Sequence, residues 1–308
     1  MGDVPVEVAL SVLGEHAEGP LWDAQTAHLW WVDIAGRRVH CFDPASGQHT
    51  SWTTSAEPGG VILSASGEPV VATPVGLAAL ERTTGELTLR VVIEQHRAEN
   101  RTNDAKVDPR GRAWVGTMAF DKRPQNGALY RVDGEVSSRV VDGLTISNGP
   151  AFDDAGTTLY LADTALGVID VFDVEPETGA LASRRRFVDL SDAQVWPDGM
   201  TVDDEGMLWV AIGRASAVYR YRADGTLDGV VELPTTNPTS VAFGGANGDE
   251  LYITTSWVDC EPESHAADPF DGAIFRCRPG VTGPPSPRWT TASARDPDPL
   301  PAEKGDVP

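Results

Sequence analysis

A unit of 41 to 50 residues recurs six times along the 308-residue chain, and this repeat constrains the fold more than any other feature of the sequence. The copies align on Glu18, Gly59, Asn103, Asn148, Asp198 and Thr239. Four residues after each stands an apolar side chain: Trp22, Leu63, Val107, Phe152, Val202 and Phe243. One residue further on stands a turn former: Asp23, Ser64, Asp108, Asp153, Asp203 and Gly244. An apolar run follows in every copy (His28–Asp33, Pro69–Thr73, Arg112–Thr117, Thr158–Asp163, Met207–Ala211, Glu250–Thr254), and then a third run, such as Gly76–Leu80 or Ala217–Tyr221. Self-similarity at this period marks a repeat architecture.

The runs last five to seven residues, are rich in Val, Ile, Leu, Trp and Tyr, and end at turn dipeptides such as Ser66-Gly67, Asp133-Gly134 and Asp224-Gly225. They read as strands, and no long window carries a helical period. A four-stranded unit of this size cannot bury both of its faces alone, so the copies must stack. Radial stacking protects all but short edges. The sequence therefore predicts an all-β chain: a six-bladed β-propeller of four-stranded antiparallel blades. Equivalent residues of a ring of blades lie at one height around one axis. Glu18, Asn103, Asn148, Asp198 and Thr239 should then converge on one mouth of the central channel, bringing two carboxylates and two amides together from distant parts of the chain.

The repeats fill residues 14 to 289 without a linker, which predicts one propeller domain over 1–291 and a disordered tail, rich in Pro and Asp, over 292–308. Val6 to Leu13 reads as a strand that closes the ring beside Ala273–Arg278. Two insertions, Asp121–Asn126 and Trp257–Asp271, occupy matching places in the third and sixth copies and are candidate lids over the site. With 24 basic against 46 acidic residues, the formal charge of −22 argues against nucleic acid and anionic membranes as partners. Three cysteines without a CxxC exclude a disulfide framework and a zinc finger. The absence of a leader pattern and of any 18-residue apolar run predicts a soluble, cytoplasmic protein. The six histidines show neither HxH nor HExxH spacing, and His16 reads as a turn residue near the site. No GxSxG, Walker loop or GxGxxG occurs, so serine hydrolase and nucleotide readings have no support.

Several short motifs occur in order along the chain: Glu18-Gly19-Pro20 with Trp22-Asp23, Asn100-Arg101-Thr102-Asn103-Asp104, Gly116-Thr117-Met118, Ser147-Asn148-Gly149 and Pro197-Asp198-Gly199-Met200. Together they resemble the family of senescence marker protein (regucalcin), the gluconolactonases and luciferin-regenerating enzyme. The resemblance implies a six-bladed propeller with one divalent metal, and hydrolysis of sugar lactones as its best-known activity. It implies Glu18, Asn148 and Asp198 as metal ligands, with Arg101, Asn103 and Asp121 touching a small-molecule lactone substrate. Asp121 stands where similar proteins usually carry the longer Glu, and Ser256-Trp257 replaces an Ala-Arg that the family often carries. The loop that follows, with Cys260, His265 and Asp268, departs most.

The three implied ligands offer only oxygen, which suits Ca²⁺ first, then Mg²⁺ or Mn²⁺; Zn²⁺, accepted by members of that family, more usually draws His or Cys. The expected chemistry is polarisation of a lactone carbonyl by the metal, with Asp198 as the general base toward water. Arg101 would grip substrate oxygens through two parallel bonds, its alternative being an ion pair with Glu99 or Asp104. Other readings remain open: another ester, a non-sugar lactone or a phosphotriester at the same site, or a propeller that binds calcium without turnover. Taken singly, the Asp-Gly and Asn-Gly pairs are also ordinary turns.

Overall fold

The structure, a computed structural model, describes residues 4–11, 14–258 and 269–291. It holds six four-stranded antiparallel sheets, five of them following chain order from the innermost strand outward and the sixth taking its outermost strand from the start of the chain. The innermost strands are Ala17–Asp23, Gly60–Leu63, Asn100–Val107, Ser147–Phe152, Trp196–Val202 and Pro238–Gly244. Each touches the innermost strand of the blade on either side, and the sixth touches the first. The ring is closed, and the expected six-bladed propeller is what forms. The helical elements among the described residues are two 3-10 turns, Thr164–Leu166 and Ser191–Ala193.

The apolar positions explain the stacking. Among the buried side chains six clusters stand out, one at each interface between neighbouring blades. Ile62, Val70 and Leu77 of the second blade, for example, meet Val107, Val115 and Tyr130 of the third. Leu29 and Trp31 of the first blade meet Tyr252 and Ile274 of the sixth, which seals the ring. Fully burying one such side chain is worth about 1.5–3 kcal/mol, so no blade holds its own faces dry and every interface contributes. Trp30, Trp31, Trp114, Trp209 and Tyr160 all lie in these clusters, as their place in the pattern predicted.

The turn former of the repeat does more than turn the chain. Asp203 accepts bonds from the backbone N–H groups of Glu205 and Met207, from Trp209 Nε1 at 2.9 Å and from Arg220. Asp108 does the same for Arg110, Arg112 and Trp114. A buried carboxylate thus ties the first hairpin of a blade to its core tryptophan.

The ring closes as the sequence indicated: Val6–Leu10 pairs antiparallel with Ile274–Cys277 and forms the outer edge of the sixth blade, with Val6 opposite Cys277. The strand is shorter than the expected Val6–Leu13, and positions 12 and 13 lie outside the described residues. So do the expected tail 292–308 and Cys260, His265 and Asp268. Beyond the last strand the chain crosses the face opposite the aligned residues, where Trp289 N donates to Leu63 O and Thr290 N to Gly111 O. Pro284, Pro285 and Pro287 line that far mouth of the channel. Among the described residues, no helix is long and apolar enough to cross a membrane.

Candidate metal and lactone site

At the other mouth the innermost strands place Glu18, Arg101, Asn103, Asn148, Asp198 and Thr239 around one cavity of about 300 Å³. A backbone irregularity aims these side chains. In five innermost strands the register with the adjacent strand slips at the aligned position: between Glu18 and Leu21, Thr102 and Ala105, Asn148 and Ala151, Pro197 and Met200, and Pro238 and Ser240. Such bulges turn a side chain out of the pleat and recur beside active sites. Gly149 adopts φ +53°, and a Cβ there would lie 2.6 Å from Asp198 O, so only glycine allows the two blades to meet. At Gly59, the copy without a side chain, a Cβ would come 2.5 Å from Thr102 O. The second blade leaves its place in the ring open because its neighbour's backbone fills it.

Glu18, Asn103 and Asn148 are buried, and Asp198 is half-buried. Asn103 Nδ2 donates to Asn148 Oδ1 at 2.7 Å and to Ser147 O at 2.8 Å. Asn148 Nδ2 donates to Thr164 Oγ1, which donates in turn to Pro197 O beside Asp198. These bonds fix the amide of Asn148 with one Oδ1 lone pair still available. Asp198 Oδ1 is buried and carries no hydrogen bond. Burial, the nearby Asp198 and then Asp104 push the carboxyl of Glu18 well up. Burial and then the charge of Asp104 push Asp198 up to about 8. Two buried carboxylates in one cavity resist ionising together unless a cation joins them.

The sequence did not single out Asp104. It occupies the bulge place that Gly19 and Gly149 fill in other blades, takes φ +60°, and is 2% exposed. Its Oδ1 accepts the N–H of Ala105 and its Oδ2 that of Gly149, both at 2.8 Å. Those bonds hold its charge beneath the site without turning it into a ligand. Among the described residues no three His, Cys, Asp or Glu side chains converge as a metal site; the set here is two carboxylates and an amide. Oxygen-only donors, an unpartnered buried Asp198 Oδ1 and an open lone pair on Asn148 fit a hard divalent cation.

The substrate residues named from sequence separate. Arg101 lines the cavity, but Nη1 already donates to Thr102 O and Asn103 Oδ1, and its ion-pair partner is Glu57, with Nε 3.7 Å from Oε2, rather than Glu99 or Asp104. Both N–H groups of Asn103 are engaged, so it offers a ligand only an acceptor. Asp121 stands exposed on its loop, bound to Arg123, and the neighbouring Lys122 lines the cavity instead. His16 is part of the cavity wall and not merely a turn residue; its Nδ1 lies 3.1 Å from Ser256 Oγ. Lys122 and Val258 bring both insertions to the site, with Ser256 beside the second.

A family profile described as SMP-30/Gluconolactonase/LRE-like region matches residues 16–257, five whole blades and the inner half of the sixth. The chain belongs to this family. Regucalcin of Gallus gallus is 34% identical to it over 296 residues, covering 93% of this chain and 99% of that protein. Pentonolactonase XacC of Haloferax volcanii is 34% identical over 281 residues, covering 87% and 92%. Among solved structures, regucalcin from Agrobacterium tumefaciens, described as a calcium-binding protein, superposes with a TM-score of 0.89 at 26% identity, covering 94% of this chain and 99% of its own. The profile's span contains Glu18, Arg101, Asn103, Asn148 and Asp198.

Proposed function

We propose that the protein is a metal-dependent lactonase that opens a sugar lactone to its hydroxy acid. The observation that carries this reading is the pair of carboxylates, buried Glu18 and half-buried Asp198, held with Asn148 around a cavity, with the buried Asp198 Oδ1 lacking a partner. The lactonase among the relatives supports the substrate class. Glu18, Asn148 and Asp198 would hold the ion, Ca²⁺ first by its oxygen donors. When bound, such an ion supplies Lewis acidity toward a carbonyl oxygen.

The chain's own groups do the rest. Asp198 takes a proton from water as its oxygen attacks the lactone carbonyl carbon. The ring C–O bond breaks, and the released ring oxygen takes back the proton held by Asp198 to give the hydroxyl of the acid. Arg101 orients substrate oxygens from the cavity wall, and Asn103 keeps Asn148 in place while accepting a substrate hydroxyl. The exposed, Arg123-bound Asp121 has no part in this scheme.

Acid release from a panel of five- and six-membered aldonolactones tests the proposal. Turnover by the wild type that is absent in Asp198→Ala supports it; equal turnover by both proteins contradicts it. The calcium-binding relative favours a second reading, in which the same ligands hold Ca²⁺ without turnover. That reading predicts a calcium-dependent rise in Tm and no acid release from any lactone.

A further inference from the structure

The side chain that begins the fifth innermost strand has no part in the scheme above. Trp196 stands two residues before Asp198 and also lines the cavity. Its position is held from two sides. The guanidinium of Arg214 lies over one face of the ring, 3.6 Å from the centroid. A cation at that distance is attracted to the electron-rich face of an indole. Across the strand pair Trp196 faces Gly213, where a Cβ would stand 3.3 Å from its Cβ and 3.5 Å from Cε3. Glycine on the partner strand leaves the indole uncovered there. The backbone of Arg214 is itself anchored, its main-chain N–H donating to Asn237 Oδ1 at 2.9 Å.

Trp196 is half-buried, as are Trp52 and Trp257, whereas Trp30, Trp31, Trp114, Trp209 and Trp289 are all 2% exposed or less. Met118, Ile146 and Pro238 add further apolar groups to the cavity wall, which also carries the polar Glu18, Asn148 and Asp198. A cavity lined by both apolar and polar groups suits a ligand that is itself two-sided. A sugar lactone is such a ligand: carbonyl and hydroxyl oxygens project from the ring edge, whereas a ring face presents C–H bonds. Those C–H groups carry partial positive charge and complement the negative face of an indole.

Resting on the lactonase reading, we propose that Trp196, braced by Arg214, is the specificity-determining platform that receives the C–H face of the substrate ring. It holds the ring in the cavity and does not touch the reacting atoms. Such a contact strengthens binding in ground state and transition state alike, so its loss should appear in KM and leave kcat nearly unchanged.

The test compares the metal-loaded full-length wild type with Trp196→Phe, Trp196→Leu and Trp196→Ala, each checked for an unchanged Tm. Kinetics use glucono-1,5-lactone. Binding of 1,5-anhydroglucitol, a ring that cannot be hydrolysed, is followed by saturation-transfer NMR. We expect Trp196→Ala and Trp196→Leu to raise KM about tenfold, the equivalent of ~1.4 kcal/mol, with kcat held within about twofold. Trp196→Phe should recover most of the loss, and the ring C–H protons should receive the strongest saturation in the wild type and lose it in the Leu variant. An unchanged KM in Trp196→Leu, or a fall in kcat at constant KM, overturns the platform. If the wild type hydrolyses no lactone, the lactonase reading fails and the NMR arm decides alone: Trp196-dependent binding of the ring supports the platform, and its absence overturns it.

Discussion

Asp198 stands under opposing demands. Burial and the charge of Asp104 press its carboxyl toward the protonated form, whereas ligation of a cation and acceptance of a proton both require it ionised. A carboxyl with a raised folded pKa stabilises the fold fully below its unfolded value, about 4, and that contribution is lost as pH rises toward the folded value of about 8. Metal-stripped wild type should therefore lose Tm relative to Asp198→Asn between pH 5 and 8, and Ca²⁺ should reverse the order; calorimetric scans across that range check both signs. The same Asp198→Asn change should lower kcat by about 10²–10⁴-fold, the usual worth of a general base, measured by acid release at saturating ion. Asp104→Asn removes the charge beneath the pair, keeping Oδ1 for Ala105 but losing the acceptor for Gly149 N–H, so the Ca²⁺ affinity of stripped protein should fall in calorimetric titration. At this scale the sequence was only partly legible. Glu18, Asn148 and Asp198 were readable because the repeat sets them at one height. Asp104 was not, because it fills a place that four other blades give to glycine, and only the backbone shows it in the left-handed region. Nor did the sequence show that the N–H groups of Asn103 serve Asn148 and the backbone, since alignment fixes position and not rotamer.

At the scale of the element, the bulged innermost strand and the carboxylate-locked hairpin carry the design. Asp203→Ala would leave Trp209 Nε1 unpaired in the core and Arg220 with only Glu205 and Asp228. Removing one member of such a buried network costs about 3–5 kcal/mol, so urea unfolding should show a loss of that order. Asp153→Ala, at a half-buried turn position bound to Thr157 and Thr158, should cost less. Gly149→Ala places a Cβ against Asp198 O and should lower stability by about 1–3 kcal/mol and weaken Ca²⁺ binding with it; unchanged Ca²⁺ affinity would show that the bulge does not aim the ligands. Strand existence and order were legible from the alternation of apolar runs and turn dipeptides. The extended fourth-blade strands, Val168–Glu175 and Ala180–Asp189, were less so, because polar outer strands leave little apolar pattern to read.

At the scale of the whole molecule, closure is the decisive property. Six interfaces of similar composition make a ring only if the last blade is completed, and Val6–Leu10 completes it from the other end of the chain. Deleting residues 1–10 exposes the edge of Ile274–Cys277 and should lower Tm by about 5 °C or more, with concentration-dependent aggregation visible by light scattering. The closed ring brings Glu18, Asn148 and Asp198 together from three different blades, so the site and the fold stand or fall together. The measurement that tests the central claim most directly is a titration of Ca²⁺ into stripped protein with acid release from glucono-1,5-lactone followed in the same sample. Turnover that rises in proportion to occupancy and levels off at one ion per chain is the predicted result. Turnover without the ion, or full occupancy without turnover of this or any other lactone, would contradict it.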